Sequence, residues 1–203
     1  MTPPFYWQDA KNHLAQRDPK LAQLILAYPY EALLNLHNPF YTLTRAIVGQ
    51  QISVKAADSI WHRLENLLES FRPECYLEIK VEELKLIGLS RQKINYISNI
   101  AHSFLEEKLT QDLWQDMEDD AVAEQLMKIK GIGIWTAQMF LIFHLHRPNI
   151  LPLSDLGLLN SIKQIYGIEN KTEILKLAKN WNPYCTVATW YLWRSIDPQT
   201  IQY

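Results

Sequence analysis

Lys130-Gly131-Ile132-Gly133-Ile134-Trp135-Thr136-Ala137 is the stretch on which the reading of this chain turns, with Asp155 further along as its companion. Leu126 to Lys130 and Trp135 to Leu145 both carry helical periodicity, which makes Gly131-Ile132-Gly133 a very short connection between two helices. Glycines supply the left-handed dihedrals and the close backbone approach that such a hairpin needs. The second helix begins just after Gly133, so its first amide N–H groups lack partners within the helix and face outward at the positive end of the macrodipole. A phosphate group fits there. Ile132 is expected to plug the space between the helices, forming an apolar seam with Leu126, Ile129, Ala137 and Leu141. Taken alone, a Gly-hydrophobic-Gly tripeptide is equally a helix C-cap followed by a new helix.

Outward from this stretch the period is helical nearly everywhere. Residues 9–16, 19–27, 39–49, 54–69, 81–87, 91–107, 119–129, 135–145, 156–166, 171–179 and 183–194 carry apolar side chains at three-and-four spacing. The connections are short and contain Pro, Gly, Asn or Asp. No alternating run demands a strand, so the fold class is all-α. A change of character near Pro148 to Pro152 separates the hairpin region from a tail that, like the N-terminus, is rich in Trp and Tyr. Two helical lobes flanking a cleft are therefore expected: 1–38 with 148–203, and 39–147 carrying the hairpin at about 126–145.

Composition bounds the function. The 203 residues can bury a sizeable core, and seven Trp and ten Tyr against six Gly favour packed helices over a turn-rich sheet. A net charge of −2 argues against a protein that binds nucleic acid by bulk charge. Any such surface must be local, with Arg45, Lys55, Arg91, Lys93, Lys128 and Lys130 as its members, each equally readable as a solvated surface cation. Two cysteines make neither a disulfide framework nor a four-cysteine metal cluster, so a reducing, intracellular compartment is expected. Met1 to Trp7 has no signal pattern and no window approaches a bilayer span, so no membrane association is expected. The six histidines show no zinc spacing; His144 and His146, on one helix, would point to different faces.

Three further segments matter. Residues 44–57, TRAIVGQQISVKAA, end one helix, turn, and start another capped by Ser53. Residues 86–93, LIGLSRQK, form a second glycine turn into a basic helix start. Trp181-Asn182-Pro183-Tyr184, Ala188 and Tyr191-Leu192-Trp193-Arg194 close the chain. Together with the hairpin and the loop from Leu151 to Gly157, these blocks resemble the helix-hairpin-helix base-excision DNA glycosylases, and within them the 3-methyladenine DNA glycosylase II branch. The resemblance runs in collinear order from about Pro39 to Arg194.

The resemblance implies a monofunctional enzyme that flips an alkylated purine, of the 3-methyladenine or 7-methylguanine type, out of duplex DNA and hydrolyses its N-glycosidic bond. Asp155 matches the catalytic aspartate; as a residue it also reads as a helix N-cap, and the two readings are compatible. Trp135 stands where bifunctional relatives carry a nucleophilic lysine, so no lyase step is expected and water is the nucleophile. Trp135 and Trp193 match aromatic positions of the base pocket, where cation–π attraction to a charged purine is worth about 0.5 to 2 kcal/mol each; core packing is the other reading of both. Met139 and Tyr191, with Trp190 and Trp7, are weaker pocket candidates. Gln51 aligns with the wedge that fills the gap left by the flipped nucleotide, unless it is a turn amide.

Lys130, Gly131, Gly133, Ile134, Thr136, Ser53, Arg91 and Lys93 are the expected DNA contacts. The backbone carbonyls of Met127, Ile129 and Ile132 are implied ligands of a sodium or potassium ion bridging hairpin and phosphate, with no cofactor otherwise required. Two departures stand out. Cys185 replaces an arginine common in relatives, and the N-terminal β-rich domain of some members is not expected here. The protein is expected to act as a monomer, in the cytoplasm at the nucleoid, or in the nucleus of a eukaryote. The alternatives are a non-catalytic helix-hairpin-helix DNA-binding protein and a glycosylase for deaminated or oxidised bases.

Overall fold

The computed structural model describes residues 3–34, 38–107 and 111–197. Among the described residues there are helices and no strands: α1 (Trp7–Arg17), α2 (Pro19–Ala27), α3 (Pro39–Gly49), α4 (Val54–Leu67), α5 (Pro73–Glu78), α6 (Val81–Leu86), α7 (Arg91–Glu107), α8 (Asp119–Met127), α9 (Ile134–Phe143), α10 (Leu156–Tyr166), α11 (Lys171–Ala178) and α12 (Cys185–Ile196), with a 3-10 turn at Gln111–Trp114. The starts are written in the sequence. Asp18, Asn38, Ser53, Asp155 and Asn170 each accept a backbone N–H of the helix they precede, and Pro19, Pro39 and Pro73 stand where a missing N–H costs nothing. Among the described residues no helix is long and apolar enough to cross a membrane.

The chain divides into two compact units, Met1–Leu36 with Leu141–Gln202, and His37–Phe140. The division falls inside α9, whereas the sequence suggested a break at Pro148–Pro152. Within α9, Ala137, Met139, Phe140, Leu141, Ile142 and Phe143 are all buried.

In the first unit α12 packs on α10, α2 and α1. Trp190, Tyr191 and Trp181 are wholly buried there, with Leu14, Leu21, Leu158 and Ile162. A polar hub lies within this apolar packing. The Asp18 carboxylate, 3% exposed, accepts the Lys20 and Leu21 amides at 3.0 and 3.2 Å through Oδ1, and Tyr166 Oη–H and Trp181 Nε1–H at 2.8 and 2.9 Å through Oδ2. At another corner, the α9 terminus turns through His146 in the left-handed region at φ 53, and the Arg147 amide reaches back to the Leu141 carbonyl at 2.9 Å. α9 therefore stops at Phe143, two residues before the expected Leu145.

In the second unit α7 packs on α3, α5 and α6, and α3 packs on α4. Phe40, Tyr76, Trp114 and Phe140 fill its interior, with Trp114 edge-on to Phe140 at 5.0 Å. Two elements of this unit have no counterpart in the sequence reading, α5 and the 3-10 turn. One is six residues and the other four, too short to show a period.

Asp18→Ala is expected to lower unfolding stability by about 3 kcal/mol, because buried donors lose a charged acceptor; urea denaturation measures it. His146 gives a pH prediction. Burial pushes its imidazole down from 6.5 to about 4, and its Nε2 is buried without a hydrogen-bond partner. The unfolded chain therefore binds the extra proton first, so this contribution is intact above 6.5 and is lost as pH falls towards 4. His146→Asn, which tolerates the left-handed backbone and does not titrate, should show a shallower fall in Tm over that window than the parent protein.

Candidate nucleic-acid interface and catalytic carboxylate

The expected site residues fall into two groups, one in each unit. In the first unit Asp155 begins α10 as its N-cap, at φ −82 and ψ 117, with its own amide bonded to the Pro152 carbonyl at 2.9 Å. Its Oδ1 accepts two hydrogen bonds of 2.7 Å, one from the Leu158 amide and one from Trp193 Nε1–H. Trp193 lies flat against Phe143, with centroids 5.8 Å apart and planes 10° apart, and is 6% exposed. Gly157 makes room for this pairing: a Cβ there would stand 3.2 Å from Asp155 Oδ1 and 3.4 Å from Trp193 Cδ1. The arrangement presents a half-exposed carboxylate whose orientation is set by a backbone amide and an indole.

This alters the expectation for Trp193. Its N–H is engaged by the aspartate and one ring face by Phe143, so its visible work is on the carboxylate. Tyr191 is wholly buried against Trp7 and Trp190, with burial pushing its hydroxyl up to about 12 and nearby Glu31 adding to the shift. Met139, in the other unit, is 1% exposed. Neither Tyr191 nor Met139 presents surface to a ligand in this structure, and both serve as core. Cys185, at the position where an arginine was expected, is also interior. Its Sγ lies 3.2 Å from Asn182 Oδ1, and burial pushes the thiol up to about 12, which leaves it protonated and unreactive.

In the second unit the hairpin takes a longer path than expected. α8 ends at Met127 and the connection runs from Lys128 to Gly133 before α9 starts at Ile134. Its two glycines differ. Gly131 sits at φ 112 directly over Tyr96, where a Cβ would come within 2.4 Å of the ring. Gly133 has no left-handed backbone and nothing within 4 Å of its missing side chain. The first glycine is demanded from inside; the second opens outward, at the start of a helix. Ile129 and Ile132 are 7% and 5% exposed and plug the hairpin, while Ile134 at 47% and the Lys130 side chain face solvent. Trp135 is partly exposed on the first turn of α9.

Gln51 is exposed and holds φ 59, and Ser53 caps α4 through the Ala56 amide at 3.3 Å. Arg91 opens α7 and is exposed, as are Lys55 and Lys128. Three expected contacts are engaged elsewhere. Thr136 is 1% exposed and accepts Gln50 Nε2–H at 3.0 Å. Lys93 turns inward to donate to the Val48 carbonyl at 2.7 Å, with burial holding its pKa below the usual lysine value. Arg45 pairs with Asp58 and covers the Trp61 ring. Sequence reasoning assigned no role to Gln50, Tyr96 and Asn99, the last of which donates to the Lys130 carbonyl at 3.2 Å. Only the Gln50-Gln51 pair within the turn hinted at the first; nothing marked the other two. Among the described residues no three His, Cys, Asp or Glu side chains gather as a metal site.

Residues 44–183 match the HhH-GPD superfamily of base excision DNA repair proteins. An alkylbase DNA glycosidase-like protein of Schizosaccharomyces pombe is 32% identical, over 93% of this chain and 93% of that one. A solved 3-methyladenine DNA glycosylase from the same yeast, in complex with abasic DNA, superposes with a TM-score of 0.81 at 28% identity, covering 92% of this chain and 96% of that one. A DNA-3-methyladenine glycosidase of Bacillus halodurans gives a TM-score of 0.73 at 36% identity, covering 91% and 87%. The chain belongs to the HhH-GPD superfamily of base excision DNA repair proteins.

Proposed function

We propose that the protein is a monofunctional DNA glycosylase that hydrolyses the N-glycosidic bond of alkylated purines in duplex DNA, acting as a monomer inside the cell. The observation that carries this reading is the Asp155 carboxylate, held through one oxygen by the Leu158 amide and the Trp193 indole. The names of the similar yeast and bacterial proteins support the substrate class.

Alkylation at a ring nitrogen gives a purine formal positive charge. When the N9–C1′ bond breaks, its electron pair neutralises that charge, so the base leaves without a strong general acid. Positive charge builds on the deoxyribose instead. A fixed anion stabilises it without reorganising, which is the work proposed for Asp155. Water then adds to C1′, and its proton passes to the carboxylate and on to solvent. Trp135 offers a π face to a cationic base and no amine to form an imine.

In the other unit, the open backbone at Gly133, the helix N-terminus at the start of α9 and the exposed Lys130 suit a phosphate, and Gln51 suits a wedge. The Met127, Ile129 and Ile132 carbonyls are neutral oxygen donors of the kind that hold a monovalent cation. Ile129 O accepts the Ile132 amide at 3.0 Å and keeps a second lone pair. Sodium or potassium bound there would attract a DNA phosphate to the hairpin.

Release of free base from duplexes each carrying one 7-methylguanine, 3-methyladenine, hypoxanthine, uracil or 8-oxoguanine tests the assignment. Release is expected from the methylated purines; release confined to the deaminated or oxidised bases, or none at all, would overturn it. Asp155→Asn keeps the helix cap but loses the charge, and should slow release by at least about 100-fold with duplex affinity retained. The glycines separate grip from fold. Gly133→Leu should weaken binding to every duplex about tenfold with Tm unchanged, whereas Gly131→Ala should lower Tm itself; fluorescence anisotropy and thermal melting read the two.

A further inference from the structure

The hairpin and the Gln51 turn are joined by the Gln50 side chain. Gln50, the residue that ends α3, donates through Nε2 to Thr136 Oγ1 at 3.0 Å and to the Gly131 carbonyl at 3.3 Å. It thereby touches both the loop of the hairpin and the first turn of the helix that follows. Thr136 is buried, so its hydroxyl is out of reach of a ligand and serves as an acceptor for this amide.

The next residue along the chain is Gln51, exposed and in the left-handed region at φ 59. A side-chain-bearing residue stays in that region only when its surroundings over-determine it. Three contacts surround the turn. Lys93 ties the Val48 carbonyl on the near side of the turn, Ser53 caps α4 on the far side, and Gln50 fastens the middle to the hairpin. The hairpin is in turn backed by α7, with Tyr96 beneath Gly131 and Asn99 on the Lys130 carbonyl.

We propose that Gln50 is a positioning residue that couples the grip of the hairpin on a backbone phosphate to the entry of Gln51 into the duplex; this rests on the roles proposed above for the hairpin and for Gln51. The physical argument is one of shared geometry. A phosphate on the α9 amides fixes the hairpin, and the two Gln50 bonds hold the Gln51 turn in register with it. Binding free energy from the phosphate is then available to drive unstacking. Without the bonds the turn can relax out of its strained conformation. Phosphate affinity, set by the hairpin, survives, and the everted state loses its support.

The test uses the full-length protein and a duplex carrying 7-methylguanine with 2-aminopurine as its 3′ neighbour, whose fluorescence rises on unstacking. Gln50→Leu keeps similar bulk and removes the donor; Thr136→Val is an isostere lacking the acceptor. The amplitude and rate of the fluorescence rise, single-turnover base release, anisotropy on undamaged duplex and the urea midpoint are measured for both variants and their double. Gln50→Leu is expected to slow the rise and base release by about 10- to 100-fold, with undamaged-duplex affinity and urea midpoint largely unchanged, and Thr136→Val should add nothing once Gln50 is gone. An unchanged rise, additive effects in the double variant, or slowing that tracks the urea midpoint would overturn the coupling. If Gln50→Leu does not fold, Thr136→Val alone carries the same comparison, with a smaller slowing expected. A parent protein that gives the fluorescence rise but releases no base would defeat the glycosylase reading and leave the coupling standing; one that gives no rise defeats the coupling.

Discussion

The Asp18 carboxylate is the constraint on which the first unit depends. That unit is assembled from the two ends of the chain, and Asp18 joins them with hydrogen bonds spanning 148 and 163 positions. The Tyr166 end of the arrangement matters most. Tyr166 is the last residue of α10 and Asp155 stands at its start, so the helix that carries the candidate catalytic group at one end is pinned by Asp18 at the other. A buried anion accepting several donors is costly to break and hard to replace, since each donor would be left without a partner.

The second unit solves a different problem. A surface able to accept phosphate must leave backbone amides without protein partners, and such a surface needs support from behind. Gly131 lies against Tyr96, Asn99 takes the Lys130 carbonyl, and Gln50 takes Gly131 and Thr136. The outward face stays bare at Gly133 and charged at Lys130. Rigidity behind and openness in front suit one short loop both to a packed hairpin and to the docking role proposed for it.

Much of this was readable in the sequence because it is local. Helix periods and caps such as Ser53 and Asp155 follow from neighbours within a turn or two, whereas the packing demand for glycine at Gly131 comes from the distant Tyr96 ring. α5 and the 3-10 turn were not readable, being shorter than the period that would reveal them. What a long side chain does was equally hidden. Lys93, Arg45 and Lys130 look alike in a string of letters, yet the first is bonded to Val48, the second to Asp58, and the side chain of the third faces solvent. The same holds for tryptophan. Trp193 was identifiable as important, but only its contact with Asp155 shows that it acts on the acid. The Cys185 substitution looked like a lost cation and is, in three dimensions, a packed thiol.

The two services of Asp155, the helix cap observed and the catalytic anion proposed, together restrict what evolution or an engineer can place there. One carboxylate oxygen is anchored by the first turn of α10, and the short single-methylene stem brings that oxygen to the Leu158 amide. Glutamate, one carbon longer, has the same charge but the wrong reach for an N-cap, whereas asparagine, serine and threonine have the reach and lack the charge. Aspartate alone among the common side chains meets both requirements, so the position admits no conservative replacement in either direction.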